Sequence, residues 1–430
     1  MKRSDSGPWF FWGIAFLAIP LWLYSFPDST YNNPKPFLVY SSQIAAHVGF
    51  ALFALSFVLS ARIKSLENYF GGLDKMYHFH HTIAKTGFIL LLIHPVLLAM
   101  RWIPEDFAHM LRTFFPFHRR LAVNIGTLAF WGLIISMAIT LVIKLPYDKW
   151  KVTHKFLGVF FILGVIHIYL LDLSFAGNPL MMAYLTLLSL SAIISWVYKS
   201  ILSDFITYKT RYRIERIEKP FENVMDIELS PVNEAVRFTP GQFFFFSFIN
   251  PGISREAHPY TICRVSKKGS IKIMVKSLGD YTKRLHQVLK PGATALLEGP
   301  YGRFDYRLGK KDQIWIAGGV GIAPFLSWAN DILINPQPEI SINMYYCVNS
   351  KKEATHLEVF NSLMEVMPNF NLKLVCADIQ GFIKARDIPG IGQKDVYICG
   401  PKPMREAIFS DLSKINISKK DIHYEDFDFS

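Results

Sequence analysis

Four histidines on two long apolar stretches constrain the fold of this chain more than any other feature. His80 and His94 lie on one stretch, and His154 and His167 lie on the other. In both stretches an aliphatic residue follows three positions after the first histidine, and a small residue follows four positions after it. Each stretch is long enough to cross a hydrocarbon core of about 30 Å as a helix. We therefore interpret both as transmembrane helices.

The spacing of the histidines places imidazoles at two depths. The two histidines are 14 residues apart in the first helix and 13 in the second, or roughly 20 Å along a helix axis. Fourteen residues is close to four turns, so His80 and His94 share a face. Thirteen falls short by nearly half a turn, so the second helix must be tilted, rotated or distorted for both imidazoles to point inward.

Matched histidines on two membrane helices favour a metal-binding bundle. Histidine is costly inside a membrane and usually faces the bundle interior. Two such helices can hold two haem irons, each between two axial imidazoles. A helix end or a buried hydrogen bond would explain any single histidine equally well, but the arrangement of all four favours haem.

The apolar residues are concentrated in the first 205 positions. Hydrophobic residues make up 51% of the 430 residues. The predicted spans are about 9–26, 38–60, 79–100, 121–143, 154–171 and 180–203. A charged outer loop is predicted at 101–119 and a short turn at 145–153. The sequence predicts a six-helix bundle, with no cleavable signal at its start.

The net charge of +12 is explained by membrane topology better than by nucleic-acid binding. Clusters of Lys and Arg alternate with less basic loops, which places both termini in the cytoplasm. Arg112, Arg119 and Arg120 on the opposite side weaken this rule locally. The expected location is the inner or plasma membrane, with lipid and no nucleic acid as partner.

The pattern changes near Tyr208 to that of a soluble α/β region. Six strand-like runs between 210 and 300, separated by Gly and Pro turns, predict a small antiparallel barrel. From about 312 the order of strand, glycine-rich turn and helix predicts a parallel sheet. The predicted domains are 1–205, 206–308 and 309–430. All four cysteines lie in the second half, consistent with reduced cytoplasmic thiols.

Two motifs in the barrel region have the features of a flavin site. In the first, HPYT, a barrel strand presents an aromatic ring and a hydroxyl group, although an exposed strand edge would also explain it. In the second, a strand end, a glycine turn and a helix start form a natural anion site. A tight turn, GPYG at 299–302, closes the barrel. The candidate cofactor-binding residues here are His258, Pro259, Tyr260, Thr261, Lys276, Gly279 and Thr282.

Two further motifs and the C-terminal tail point to a dinucleotide. Glycines after a strand let the backbone approach a pyrophosphate at a helix start. A second glycine-containing turn, CGPKPM, follows a later strand. The thiol of Cys399 could bring a nicotinamide ring close to a flavin there. A small buried side chain would explain this cysteine equally well. In the tail, Phe427 or Phe429 could cover the flavin, or the tail is an ordinary last strand.

The candidate cofactor-binding residues of these segments are Gly318, Gly319, Gly321, Ile322, Ala323, Pro324, Cys399, Gly400, Pro401, Met404 and Phe427. Among them, Cys399 and Phe427 are the candidate catalytic residues.

Taken in order, these motifs resemble those of ferredoxin-reductase-type flavoproteins. With the four-histidine bundle in front, the whole chain resembles the ferric reductase and NADPH oxidase superfamily. HPYT resembles the flavin motif HPFT, and GGVGIAP and CGPKPM resemble the pyrophosphate and nicotinamide motifs. The resemblance implies FAD, two b-type haems and NADPH or NADH as cofactors.

The resemblance also implies the haem ligands. His80 would pair with His154 at an inner haem, and His94 with His167 at an outer haem. Asp74 matches the family's aspartate six residues before its first ligand, which indicates His80, while His81 remains an alternative.

The implied activity carries electrons from NAD(P)H to an acceptor outside, either a ferric chelate or dioxygen. Alternatives are delivery to an external electron-accepting protein, and a membrane-anchored flavin reductase without haem. His47, Gln43 and the 101–120 loop are expected to line the outer approach.

Lysines in two segments of the chain leave alternatives open. Lys351 or Lys352 could meet a 2′-phosphate, although NADH is not excluded. Lys85 either offsets a haem propionate or extends to the interface, and we favour the second explanation.

Overall fold

The computed structural model describes residues 6–24, 35–143, 145–171, 178–207, 209–415 and 417–426. The chain forms two compact units, one ending at Ile206 and the other beginning at Thr207. The first is helical, and the second contains a closed β-barrel and a five-stranded sheet. This is the fold class predicted from the sequence.

The first unit consists of apolar helices of membrane-spanning length. Its described helices are α1 (Ser6–Phe16), α2 (Ala18–Tyr24), α3 (Pro36–Ser60), α4 (Lys64–Phe70), α5 (Leu73–Met100), α6 (Phe107–Arg112), α7 (Leu121–Leu141), α8 (Tyr147–Leu170), α9 (Pro179–Val197) and α10 (Ser203–Ile206). Within the described residues, 6 helical segments are long and apolar enough to cross a membrane: Ser6–Tyr24, Pro36–Ser60, Leu73–Met100, Leu121–Leu141, Lys149–Leu170 and Pro179–Leu202. The predicted spans are confirmed.

Two helices begin before their apolar cores. α5 begins at Leu73, well before the predicted start at 79. α8 begins at Tyr147, so the predicted turn over 145–153 is wrong. Pro146 directly precedes the first helical residue of α8, where the fixed φ of proline is tolerated. Charged residues are also compatible with helix outside the apolar core, so hydropathy alone placed both starts too late.

α3 is largely buried and packs closely on α5. Two glycines allow this approach, because a Cβ on Gly87 of α5 would lie 3.0 Å from the carbonyl oxygen of Gly49 on α3. Phe50 of α3 also stacks on Phe161 of α8, with ring centroids 5.2 Å apart. These contacts join the two histidine-bearing helices to α3.

The barrel of the second unit is closed and antiparallel. Its strands are β1 (Thr210–Phe221), β2 (Val224–Pro231), β3 (Phe243–Ile249), β4 (His258–Val265), β5 (Ile271–Lys276) and β6 (Thr294–Tyr301). Their order around the barrel is β1-β2-β5-β4-β3-β6. A helix, α11 (Asp280–Val288), connects β5 to β6.

The sheet that follows is parallel and has the order β11-β10-β7-β8-β9. Its strands are β7 (Asp312–Gly318), β8 (Ser341–Val348), β9 (Phe370–Cys376), β10 (Asp395–Cys399) and β11 (Ile422–Glu425). The helices are α12 (Ala323–Ile334), α13 (Leu357–Val366), α14 (Ala377–Gln380) and α15 (Lys402–Lys414). The strand order reverses between β7 and β10, where open α/β sheets bind ligands.

The barrel and the sheet share one hydrophobic core. Met274 of the barrel and Trp315 and Trp328 of the sheet domain belong to a single buried cluster. At the junction, Gly241 has a φ of 92°, and its amide donates to the Ser327 hydroxyl at 3.1 Å. The shared core fixes the parallel sheet against the barrel.

Candidate functional site

In the helical unit, the Nδ1 atom of each of the four histidines contacts an oxygen on a neighbouring helix. The Nδ1–H of His80 donates to the carbonyl oxygen of Ser56 on α3 at 2.8 Å. The Nδ1–H of His167 donates to the carbonyl oxygen of Ala122 on α7 at 2.7 Å. A carbonyl oxygen only accepts, so the proton of each neutral imidazole lies on Nδ1.

The other two histidines contact hydroxyl groups that are already donating elsewhere. Ser42 Oγ donates to the His94 carbonyl at 2.8 Å, so it accepts from His94 Nδ1 at 2.8 Å. Thr140 Oγ1 donates to the Ser136 carbonyl at 2.8 Å, and it lies 3.4 Å from His154 Nδ1. All four imidazoles thus present an Nε2 lone pair, and no hydrogen bond within the described ranges engages it.

The contacts along α3 and α5 are evenly spaced. On α3 the contacting residues are Ser42, Gly49 and Ser56. On α5 they are His80, Gly87 and His94. Neighbours within each row are seven positions apart. Seven residues make about two helical turns. His80 and His94 therefore share one face, as the 14-residue spacing predicts.

The helices α5 and α8 each bring one histidine to each end of the bundle. The imidazole of His154 lies close enough to His80 to interact with it electrostatically. His94 lies in the same way beside His167. His81 also lies within electrostatic range of His154, so this proximity does not by itself choose between His80 and His81. His47, on α3, also lies within electrostatic range of His94.

The helical bundle fits a haem held by two histidines at each end. A Cβ on Gly126 of α7 would lie 2.5 Å from His167 Nδ1, so the missing side chain makes room for this imidazole. Histidines that ligate a metal usually donate their other ring N–H to an oxygen, which orients the ring. The described residues thus supply the donor set that b-type haem requires.

His80 and its neighbour His81 differ in their Nδ1 contacts. The two rings lie 5.6 Å apart, but only His80 has a hydrogen-bonded Nδ1 among the described contacts. Asp74 is buried at the start of α5, and Lys85 is exposed. Gln43 accepts a hydrogen bond from Trp22 Nε1 at 3.0 Å.

In the barrel, the HPYT motif has two buried hydroxyl groups. The described residues offer no hydrogen bond to Tyr260 Oη or Thr261 Oγ1. Burial raises the pKa of Tyr260, so its hydroxyl stays protonated. Unsatisfied buried hydroxyls are expected where a ligand supplies the missing partner. The two groups fit the polar oxygens of FAD.

His258 connects this motif to the second flavin motif. Its ring stacks on Tyr281 of α11, with centroids 4.0 Å apart, and its Nε2 lies 3.3 Å from Glu256 Oε2. Burial lowers the pKa of His258, although Glu256 opposes this change. Pro259 pairs with Phe245 in the ladder of β3 and β4.

Thr282 contributes to the turn that begins α11. Its Oγ1 accepts from the backbone N–H groups of Leu278 and Gly279 at 2.9 and 3.0 Å. Both donors are therefore used within the turn and do not remain for an anion. Lys276 instead lies beside the glycine-rich turn, since its Nζ is 3.9 Å from a Cβ built on Gly319.

The two glycine motifs of the sheet domain meet between β7 and β10. Cβ atoms on Gly318 and Gly400 would lie 2.6 Å from Met404 Sδ and 2.5 Å from Met404 Cε, respectively. Pro401 Cδ would lie 2.9 Å from the Cβ of Gly318. The missing side chains let these residues pack tightly at the carboxyl ends of β7 and β10, which border the crevice where open α/β sheets bind ligands.

The remaining residues of these motifs support the cleft from within. Gly321 packs against the backbone of Cys399, and Cys399 is 1% exposed at the end of β10. Ile322, Ala323 and Pro324 are buried where α12 begins. Phe427 and Phe429 lie outside the described residues.

Three residues near the tail were missed by sequence reasoning. Arg405 donates to the Gly400 carbonyl at 2.8 Å and forms a buried ion pair with Asp426 at 2.6 Å. Glu425 is also buried, close to Gly302. The two acidic residues next to the terminal aromatic residues were the available signal. The ion pair of Arg405 and Asp426 attaches the end of the described tail to α15, beside Gly400.

Three family models match successive parts of this architecture. "Ferric reductase like transmembrane component" matches residues 45–165, "FAD-binding domain" matches 210–305, and "Oxidoreductase NAD-binding domain" matches 315–409. Fold and matches thus define an integral, multi-pass membrane protein with an FAD-binding and an NAD-binding domain. The chain belongs to the ferric reductase and NADPH oxidase superfamily.

Two curated relatives match about half of the chain. The toluate 1,2-dioxygenase electron transfer component of Pseudomonas putida is 26% identical over 215 residues, which are 47% of this chain and 62% of that protein. The reductase component of propane 2-monooxygenase from Rhodococcus jostii is 25% identical over 236 residues, which are 50% of this chain and 63% of that protein. The chain thus spans less than two thirds of either relative.

Among solved structures, flavohemoglobin from Malassezia yamatoensis, with bound FAD and haem, has a TM-score of 0.52. It is 16% identical, and the match covers 92% of this chain and 99% of that one. At this identity the likeness concerns the fold alone.

Proposed function

We propose that this protein carries electrons from cytosolic NAD(P)H across the membrane to a small-molecule acceptor on the outer face. When bound, FAD would accept a hydride and two b-type haems would carry single electrons between the two ends of the bundle. The observation that carries this proposal is the set of four imidazoles with anchored Nδ1 atoms, paired at two depths.

The protein's own residues would perform four tasks. His80 and His154 would hold an inner haem, and His94 and His167 an outer one. Tyr260 and Thr261 would donate to oxygens of FAD. The cleft between β7 and β10 would bind the nicotinamide nucleotide, with Cys399 at its floor. The proposed acceptor is a ferric chelate or dioxygen.

The nucleotide preference depends on groups of opposite charge after β8. Glu353 lines a small cavity beside Gly319 and accepts from the Asn349 amide at 3.1 Å. A carboxylate there would favour ribose hydroxyls and disfavour a 2′-phosphate. Lys351 and Lys352 are exposed, and they would attract the 2′-phosphate. NADH and NADPH must therefore be compared directly.

The decisive experiment is the anaerobic absorption spectrum of the detergent-purified protein before and after addition of NADH or NADPH. We expect a Soret band that shifts on reduction, with about two haems per chain. Bleaching of flavin without any haem band would contradict the proposal and identify the membrane unit as an anchor. Reduction of Fe(III)-citrate or release of superoxide would then identify the acceptor, whereas turnover only with an added protein would favour the external-partner alternative.

A pair of neighbouring variants tests the assignment of the inner ligand. His80→Leu should remove the inner haem, because the Nδ1 of His80 is oriented by the Ser56 carbonyl. His81→Leu should keep both haems and serves as the matched control. The reverse result would assign the inner ligand to His81.

A further inference from the structure

Arg101 continues the row of histidines on α5 beyond the outer end of the membrane helix. It follows His94 by seven residues, the same interval that separates His80, Gly87 and His94. Seven residues correspond to roughly 10 Å of rise and nearly two whole turns. Arg101 therefore lies on the same side of the helix as His94, about two turns farther toward the outer end.

The guanidinium of Arg101 is fixed by an aromatic pair. Its Cζ lies 5.0 Å from the centroid of the Trp102 ring, and that ring lies 4.0 Å from the ring of His109 on α6. Cation–π contact of this kind orients an arginine without using its N–H groups. The donors of the guanidinium thus remain available for another partner.

One of these donors is buried and unsatisfied. Arg101 Nε has no hydrogen-bond partner within the described residues, although it is shielded from solvent. Burial lowers the pKa of Arg101, but an arginine keeps its charge in proteins. A buried, charged donor without a partner is costly and indicates a missing acceptor.

The carboxylates of the same loop are engaged elsewhere. Glu105 pairs with Lys35 at 3.1 Å. Asp106 accepts from the backbone N–H of His109 at 2.8 Å and so caps α6. Neither forms an ion pair with Arg101 among the described contacts. Among the described residues, neither of these carboxylates supplies the acceptor that Arg101 Nε lacks.

We propose that Arg101 binds a carboxylate group at the outer end of the bundle. The planar guanidinium presents parallel N–H donors that match the two oxygens of a carboxylate. Two sources have this chemistry, namely a propionate of the outer haem and the carboxylate of an anionic ferric chelate. This inference rests on the proposed function, because both sources belong to the outward electron route.

Three variants separate these sources. Arg101→Gln removes the charge, and Arg101→Lys keeps a charge without the paired donors. Arg112→Gln removes an arginine from an exposed position of α6 and is the matched control. Each protein is purified in full length, its haem content is measured, and its haem potentials are determined by anaerobic spectroelectrochemical titration. The KM is measured for Fe(III)-citrate and for hexaammineruthenium(III), which carries no carboxylate.

If Arg101 binds a propionate, Arg101→Gln lowers the potential of the outer haem, and the KM for Fe(III)-citrate stays unchanged. If it binds the chelate, the KM for Fe(III)-citrate rises about tenfold, as expected for one lost charge-assisted hydrogen bond. The potentials and the KM for hexaammineruthenium(III) then stay unchanged. Arg101→Lys should show a smaller change of the same kind, and it replaces Arg101→Gln if that variant does not accumulate.

The inference is wrong if neither quantity changes, or if Arg112→Gln changes it as much as Arg101→Gln does. The second outcome would mean that only the net charge of the loop matters. Failure of the proposed function is a separate result, because the wild-type protein would then show no Soret band.

Discussion

A histidine can offer either ring nitrogen to a metal, and the partner of the other nitrogen decides which one. In this bundle the Nδ1 atoms of His80 and His167 face backbone carbonyls. The hydroxyls near His94 and His154 donate to carbonyls and are left as acceptors. Each of the four imidazoles therefore donates through Nδ1. They share this tautomer because each one has an acceptor of its own beside Nδ1.

Gly126 gives a test of one imidazole alone. We expect Gly126→Ala to displace the ring of His167, since the added Cβ would lie 2.5 Å from Nδ1. The variant should lose the outer haem and keep the inner one. The pyridine haemochrome assay measures this as about half of the wild-type haem per protein. Gly13→Ala on α1 is the control, because a Cβ there meets no atom within 4 Å. Full haem content in Gly126→Ala would show that the outer ligand is not held in this way.

At the scale of helices, the close approach of α3 and α5 sets the position of both imidazoles of α5 together. Gly49 and Gly87 lie midway between the two histidine contacts. Displacement of one helix here would lengthen the contacts at both ends.

Gly87→Val should therefore reduce the content of both haems. Overpacking of a tight core usually costs about 1–3 kcal/mol and shifts the backbone. The haem content and the thermal midpoint of Soret loss should both fall, while Gly13→Val leaves them unchanged. Selective loss of one haem would mean that the helices adjust locally rather than as a pair.

A second element-scale contact joins the barrel to the sheet domain. Asp226 of β2 accepts from His356 Nε2 at 2.7 Å and from Lys272 Nζ at 3.2 Å through the same oxygen. Burial by itself would raise the pKa of Asp226, but these two partners outweigh it and hold the pKa below its ordinary value. The ionised form therefore stabilises the folded unit at neutral pH.

We expect Asp226→Asn to lower the free energy of unfolding by about 2 kcal/mol at pH 7. A carboxyl group with a lowered pKa contributes its full stability above the ordinary aspartate value of about 3.9. The contribution is lost as the pH falls through the lowered value. The temperature of flavin release, measured by fluorescence, should thus differ between variant and wild type at pH 7 and converge in acid. The exposed Asp312→Asn is the control, and a difference that persists in acid would contradict the ionic explanation.

At the scale of the whole chain, the sequence predicted what periodicity and motif order determine. Apolar spans, alternating strands and the strand–glycine–helix order gave the helices, barrel and sheet. The sequence did not predict that α8 begins before its apolar core, because charged residues are compatible with a helix as well as with a loop.

In the candidate site, too, the sequence predicted only what residue spacing determines. His80 and His94 were predicted on one face because 14 residues nearly fill four turns. The partners of their Nδ1 atoms were not predictable, since Ser42 and Ser56 lie on another helix and one contact uses a backbone carbonyl. Arg405 was missed because its role depends on the return of the tail to the end of β10.

The proposed electron route makes a prediction that involves the entire molecule. His94→Leu removes the Nε2 lone pair from the outer pair and leaves the inner pair and the nucleotide cleft untouched. NAD(P)H should still bleach the flavin and reduce the remaining haem, whereas reduction of an acceptor outside should be abolished. The measurement is reduction of Fe(III)-citrate by the protein in liposomes, with NAD(P)H and acceptor on opposite sides. External reduction at the full wild-type rate would refute a two-haem route, because no other described pair of imidazoles spans the outer half of α5 and α8.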